Sequence, residues 1–267
     1  MTKAVAVKSA NPLAAFMDDD DTRHGGKINA ADLSLPFLRV LQGLSPQLNR
    51  DSPSYLKGAS AGDICLTVLD RFWDREDGVS VIFCHYSRVF VEWRPTDVGG
   101  GIVNTYPPEH QIVGSATRGD KGALILPNGN VLVETAYHAV LVDVDGKWVR
   151  AVLPMKSTML KISRKLNNVL TSFELPNSKG IMKEAPRWVR GFLMTSVNES
   201  KMGNTWAVPV FEVMENADGS PWLVSTELYG VAKQWAIAAD KSTNFAASEA
   251  AQTPKGNKPD IEDEAPF

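Results

Sequence analysis

Eleven cationic side chains fall between Lys147 and Lys201: Lys147, Arg150, Lys156, Lys161, Arg164, Lys165, Lys179, Lys183, Arg187, Arg190 and Lys201. Only Glu174, Glu184 and Glu199 oppose them, a net of +8 in a chain whose formal net charge is −3. Such an uneven split predicts a basic surface for a polyanion, with acidic segments elsewhere. Trp148, Phe173, Trp188 and Phe192 are interleaved with these cations. Charge for phosphates beside flat faces for unstacked bases is what single-stranded nucleic acid requires. The expected phosphate contacts are Lys156, Lys161, Arg164, Lys165, Arg187 and Arg190. The expected stacking residues are drawn from Trp93, Tyr137, Trp148 and Trp188, some of which must instead be core.

The second informative stretch is Asp260-Ile261-Glu262-Asp263-Glu264-Ala265-Pro266-Phe267. Four carboxylates and one terminal aromatic cannot fold alone. They suit a peptide that docks Phe267 in an apolar pocket of a partner while Asp260, Glu262, Asp263 and Glu264 meet a basic rim. The other reading is an acidic solubilising tail.

Catalytic signatures do not stand out. Gly99-Gly100-Gly101 lacks the lysine and following helix of a phosphate loop. His24, His85, His110 and His138 are scattered, with no clustered ligands for a metal. Asp143 and Asp145 flank a turn, where carboxylates serve turn chemistry. No enzyme activity, cofactor or metal is therefore expected. Cys65 and Cys84 are the only cysteines. Without a secretory signal they read as reduced small hydrophobes on neighbouring strands. The N-terminus is a poor signal peptide and no window is long and apolar enough for a bilayer, so the expected compartment is the cytoplasm, that of the host if the chain is phage-encoded.

Residues 1–30, with Asp18 to Asp21 and Gly25-Gly26, predict a flexible acidic arm. Around Leu35-Pro36-Phe37-Leu38, Pro36 allows a strand entry or a short helix. From Asp63 to Val149 the chain is mostly β, with runs such as Val79–Tyr86, Arg88–Trp93 and Val131–Val142, and turns at Asn128-Gly129 and Asp145-Gly146. At Pro154 the period changes. Met155, Met159, Ile162, Leu166 and Val169 or Leu170 mark one face of a helix begun by Pro154, with Lys161, Arg164, Lys165 and Asn168 opposite. Strands return over Arg187–Val197 and Thr205–Val213, Pro209 marking an edge. Leu228, Val231, Trp235 and Ala238 predict a helix over about Ser225–Asp240, extending in one reading through Phe245-Ala246-Ala247. The domain plan is an arm over 1–30, a single nucleic-acid-binding domain over 31–250 and a disordered acidic tail over 251–267. The fold class is mainly β with added helices, as an OB-fold-like antiparallel barrel.

The tail Asp260–Phe267, with the β-rich pattern and the charge split, resembles the single-stranded DNA-binding proteins of T7-like phages. It is also similar to the acidic Pro-Phe tip of the bacterial single-stranded DNA-binding proteins. Leu35–Leu41 and Gly58–Ile64 look like segments of uncharacterised phage proteins of this size. The resemblance implies an OB-type barrel that coats exposed strands in phage replication and recombination. It also implies recruitment of polymerase, helicase or primase through the tail, which competes with DNA for the basic groove. A homodimer is a further candidate assembly. The alternatives are a strand-annealing recombination protein and a structural virion or assembly protein.

Overall fold

The computed structural model describes residues 33–119, 122–201, 203–241 and 245–252, and the elements below belong to the unit Leu35–Phe267. The predicted acidic arm and the tail from 253 onward lie outside the described residues.

Two long strands organise the molecule. β4 (Val79–Trp93) and β8 (Val131–Val144), dense in β-branched and aromatic residues, pair antiparallel from Val81↔Val142 to Trp93↔Val131. β8 returns as β9 (Lys147–Lys156) through Asp145-Gly146, whose φ values of 53° and 82° are those of a tight two-residue hairpin turn. β12 (Phe192–Lys201) and β13 (Asn204–Val213) extend the sheet on one side. β7 (Leu124–Ile125) and β6 (Thr117–Arg118) extend it on the other, and β5 (Ile102–Tyr106) pairs with β4. The strand order is β13-β12-β4-β8-β7-β6, so β13 is an outer strand, as Pro209 predicts. The sheet curls into an antiparallel half-barrel, and the fold is mainly β with added helices, compatible with an OB-like barrel.

β1 (Leu38–Val40), β2 (Ile64–Leu66) and β3 (Arg71–Trp73) form a second, three-stranded sheet; β10 (Glu174–Pro176) and β11 (Met182–Glu184) form a hairpin. The described α-helices are α1 (Gln111–Ser115), α2 (Met159–Thr171), α3 (Thr226–Lys241) and α4 (Phe245–Ala251). None is long and apolar enough to cross a membrane.

Both faces of the half-barrel are covered, and a bulge keeps them in register. In β4, Val79, Val81 and Phe83 face one core, shared with Leu166 and Leu170 of α2, while Ile82 faces the other. A register shift between Phe83 and His85 then inverts the parity. Beyond it, odd residues Val91 and Trp93 join Ile82 on the face packed by Trp235 of α3 and Phe245 of α4. Strand side chains alternate with period two, so a single extra residue exchanges the two faces.

Several expectations are corrected here. Pro154 does not begin a helix: it lies buried inside β9 opposite Tyr137, and α2 starts at Met159. A proline fits there because, among the described strands, β9 pairs along its length only with β8, and the missing N–H of Pro154, like the N–H of Val152 that donates to Pro36 O, lies on the side away from that ladder. The strand read over Arg187–Val197 begins only at Phe192, the preceding residues forming a turn. The C-terminal helical reading resolves into two helices, and Gln252 just beyond α4 is anchored, its Nε2 donating to Leu35 O at 2.7 Å. Cys65 and Cys84 are both free and buried, but they lie in different sheets rather than on neighbouring strands. Burial pushes each thiol up to about 12.

Candidate nucleic-acid interface

Helix α2 has no acidic residue in its first turn, and it splits cleanly into two faces. Ser163, Leu166 and Leu170 turn inward, while Lys161, Arg164 and Lys165 are exposed. The helix touches β8, β9 and β13, so its cationic side looks across the half-barrel from β8 to the β12–β13 tip. Between them lies a cleft of about 660 Å³. Lys161 and Arg164 line it together with Lys201 from the end of β12, Arg118 from β6 and Trp206 from β13. Leu124, Leu132 and Val133 supply an apolar part of its wall.

Two carboxylates share this cleft. Lys161 Nζ donates to both oxygens of Glu199 at 2.9 and 2.8 Å. Glu134 sits 3.9 Å from Arg164 Nη2 and 3.7 Å from Arg88 Nε. The Lys161 and Arg164 side chains are 61% and 65% exposed, so both pairs stand in water. Exposed pairs of this kind contribute about 0–1 kcal/mol, little enough for a phosphate to replace the carboxylate. Trp206 stands half-buried opposite Glu199 in the hairpin register, with no hydrogen-bond partner on its indole Nε1.

The remaining predicted contacts lie elsewhere, and the eleven cations do not share one concavity. Lys165 is exposed on α2 but does not line the cleft. Arg187 and Arg190 turn into the protein. Arg187 Nη2 donates to Asn167 Oδ1 at 2.9 Å, and its guanidinium lies 5.7 Å from the Tyr86 ring. Arg190 donates to Val169 O near the C-terminal end of α2 and lies 4.3 Å over Phe173. Both fasten the last turns of α2, Arg187 through the Asn167 side chain and Arg190 through a backbone carbonyl, where a cation also suits the helix dipole.

Lys156 lies on the other face of the sheet. Its Nζ donates to Glu249 Oε1 of α4 at 2.9 Å. Arg39 Nη2 reaches the same oxygen at 3.2 Å, and Tyr137 OH donates to Oε2 at 2.8 Å. Glu249 is buried, and burial alone would raise its carboxyl. The two cations and the donated hydrogen bonds outweigh that and hold it below the usual range. Tyr137 is thus core, as is Trp93, whose ring lies 5.8 Å from Lys156 Nζ. Trp148 and Trp188 are half-buried against the α3 side, next to Trp222 and Tyr229 at 6.2 and 6.0 Å. None of the four aromatics chosen from sequence lines the cleft.

Trp206 and Arg118 were missed by sequence reasoning. The signal for Trp206 was its place two residues after the Gly203-Asn204 turn, where a strand leaves the core. For Arg118 no local signal exists, because the pairing of β6 with β7 and of β7 with β8 brings it in.

Among the described residues no group of histidine, cysteine or carboxylate side chains is arranged to hold a metal. The nearest approach to a catalytic pair is His138 Nε2 with Ser163 Oγ at 2.8 Å. Both residues are sealed, and His138 Nδ1 has no partner to orient the ring. Burial, aided by the Arg187 charge, pushes His138 down to about 3. It is a neutral packing residue against Phe83 and Tyr86.

A family model described as Pam3 phage gp34-like protein matches residues 7–243 of the chain. No curated protein and no solved structure matches it.

Proposed function

Because the chain belongs to the Pam3 phage gp34-like protein family, we propose that it serves a phage by binding single-stranded DNA without sequence preference during replication and recombination. The observation that carries this reading is the cleft beside α2. Arg118, Lys161, Arg164 and Lys201 surround a tryptophan, against two carboxylates held only by exposed ion pairs. Phosphates follow the cations and a base covers the Trp206 face, a division of labour that tolerates any sequence because every base has a π-face. The contact area is smaller than eleven cations suggested, so the cleft holds a short run of nucleotides per molecule.

The segment Asp260–Phe267 lies outside the described residues, and its role is part of the proposal. A polyanion tethered to the domain competes with DNA for the cleft at high effective concentration. When DNA displaces it, the Phe267 tip is released to polymerase, helicase or primase. Removing Asp260–Phe267 tightens DNA binding and abolishes recruitment.

The test is a tryptophan-fluorescence titration with poly(dT) at several salt concentrations. The proposal expects quenching that is lost in Trp206→Ala and affinity that falls as salt rises. Absence of binding at every salt concentration contradicts it and favours a structural role in the virion or its assembly.

A further inference from the structure

The residues around Glu249 form a second anion site that the protein fills with its own carboxylate. Lys156, Arg39 and Tyr137 all donate to Glu249 within 3.2 Å, from β9, the start of the small sheet and β8. The Trp93 ring lies 5.8 Å from Lys156 Nζ. Among the described residues, two cations, a phenol donor and an indole face lie around this negative group, the makings of a phosphate subsite with a stacking platform beside it. The carboxylate that fills it comes from α4, a helix of seven residues. Among the described contacts, α4 is held in part by Phe245 and Ala246 against the α3 side of the core, and by Gln252, which bonds Leu35 and Thr67.

We infer that α4 is a displaceable cover, and that Glu249 stands in for a phosphate of single-stranded DNA, which takes its place on Lys156, Arg39 and Tyr137 when α4 lifts. A phosphodiester carries one negative charge, as Glu249 does, and its two free oxygens accept the same donors. The exchange therefore never leaves the partly buried Lys156 and Arg39 without a counter-ion, which is the costly state. The cleft beside α2 binds first, because it is open; the covered site extends the contact to the opposite face of the sheet. This inference rests on the reading of the cleft as a DNA site. It adds that the protein has a low-affinity closed form and a high-affinity open one, set by α4.

The experiment compares the full chain with Glu249→Gln in oligo(dT) binding across a salt series. The amide keeps the shape of the cover and removes its charge. Opening is expected to become more frequent, and affinity to rise about tenfold in proportion to the open fraction. The slope of log affinity against log salt steepens by about 0.7, the value of the one added phosphate contact. Adding Lys156→Ala to Glu249→Gln abolishes the gain. A folded Glu249→Gln protein with unchanged affinity and slope overturns the inference, leaving Glu249 a purely structural tie.

Should the variant fail to fold, hydrogen exchange on the unaltered protein decides. Oligo(dT) is expected to accelerate exchange at the amides of α4, and unchanged or slower exchange there overturns the inference. Failure of the cleft reading is separately visible, as wild-type oligo(dT) affinity insensitive to Lys161→Ala/Arg164→Ala.

Discussion

Two glutamates each face a pair of cations among the described residues, and water makes them different objects. Glu134, in the cleft, has Arg164 and Arg88 at 3.9 and 3.7 Å, and its side chain is 24% exposed. Glu249, under α4, has Lys156 and Arg39 at 2.9 and 3.2 Å, with a side chain 4% exposed. The first site is loose, screened and ready to exchange partners. The second is tight, ties three parts of the fold together while α4 is in place, and exchanges only when α4 lifts. Net charge along the sequence treats the four cations alike, and the local dielectric separates them.

The largest effect that sharpens this contrast is on stability. Glu249→Ala strands two partly buried cations around an emptied buried site and should cost the more, about 3 kcal/mol. Glu134→Ala should cost no more than about 1 kcal/mol. Urea denaturation of the two variants measures both, and equal losses would break the distinction.

The pH dependence separates the buried groups further. His138 is depressed to about 3 in the folded protein against an ordinary 6.5, so the unfolded chain binds the extra proton as pH falls below 6.5. Stability from this group is present above pH 6.5 and is lost toward pH 3, by about 2 kcal/mol between pH 6.5 and 5. Glu249 works lower. Its carboxyl is held below the ordinary 4.5, and the stability it provides is present above that value and lost as pH falls further. His138→Leu should flatten the stability profile between pH 6.5 and 5 while leaving the steeper acid limb. His85, also depressed by burial, contributes to the slope that remains.

Smaller effects belong to the open cleft. Trp206→Ala should lose about 1–3 kcal/mol of oligonucleotide binding, the value of one stacked base, with the fold unaffected. Trp148→Ala should cost stability and leave oligonucleotide binding as it was. Smallest of all, Glu199→Gln should change stability by under about 1 kcal/mol. The same variant frees Lys161 and tightens oligonucleotide binding, which a filter-binding series would detect.

Much of the architecture was legible in the chain. Alternation and turn residues located β4, β8 and β9, and the 3.6-residue period located α2 and α3. Two things were hidden. Alternation says which residues share a face, but here both faces are covered, one by α2 and the other by α3 and α4, so Trp93 and Tyr137 could be placed on a face without being placed in water. Charge along the sequence likewise could not tell Lys161 from Lys156. These residues lie five apart across the β9–α2 junction, and the junction sends one into the cleft and the other beneath α4. Arg187 and Arg190 were misread because a cation that fastens a helix end or lies over an aromatic ring is indistinguishable, in one dimension, from one that meets a phosphate.

The most direct measurement is the salt dependence of oligo(dT) affinity for the wild type, Lys161→Ala/Arg164→Ala and Arg187→Ala. Loss of the two cleft cations should reduce the slope of log affinity against log salt by about 1.4, while Arg187→Ala should lower the melting temperature and leave the slope where it was. Equal slopes for wild type and the cleft variant would contradict the assignment of DNA binding to the face of α2.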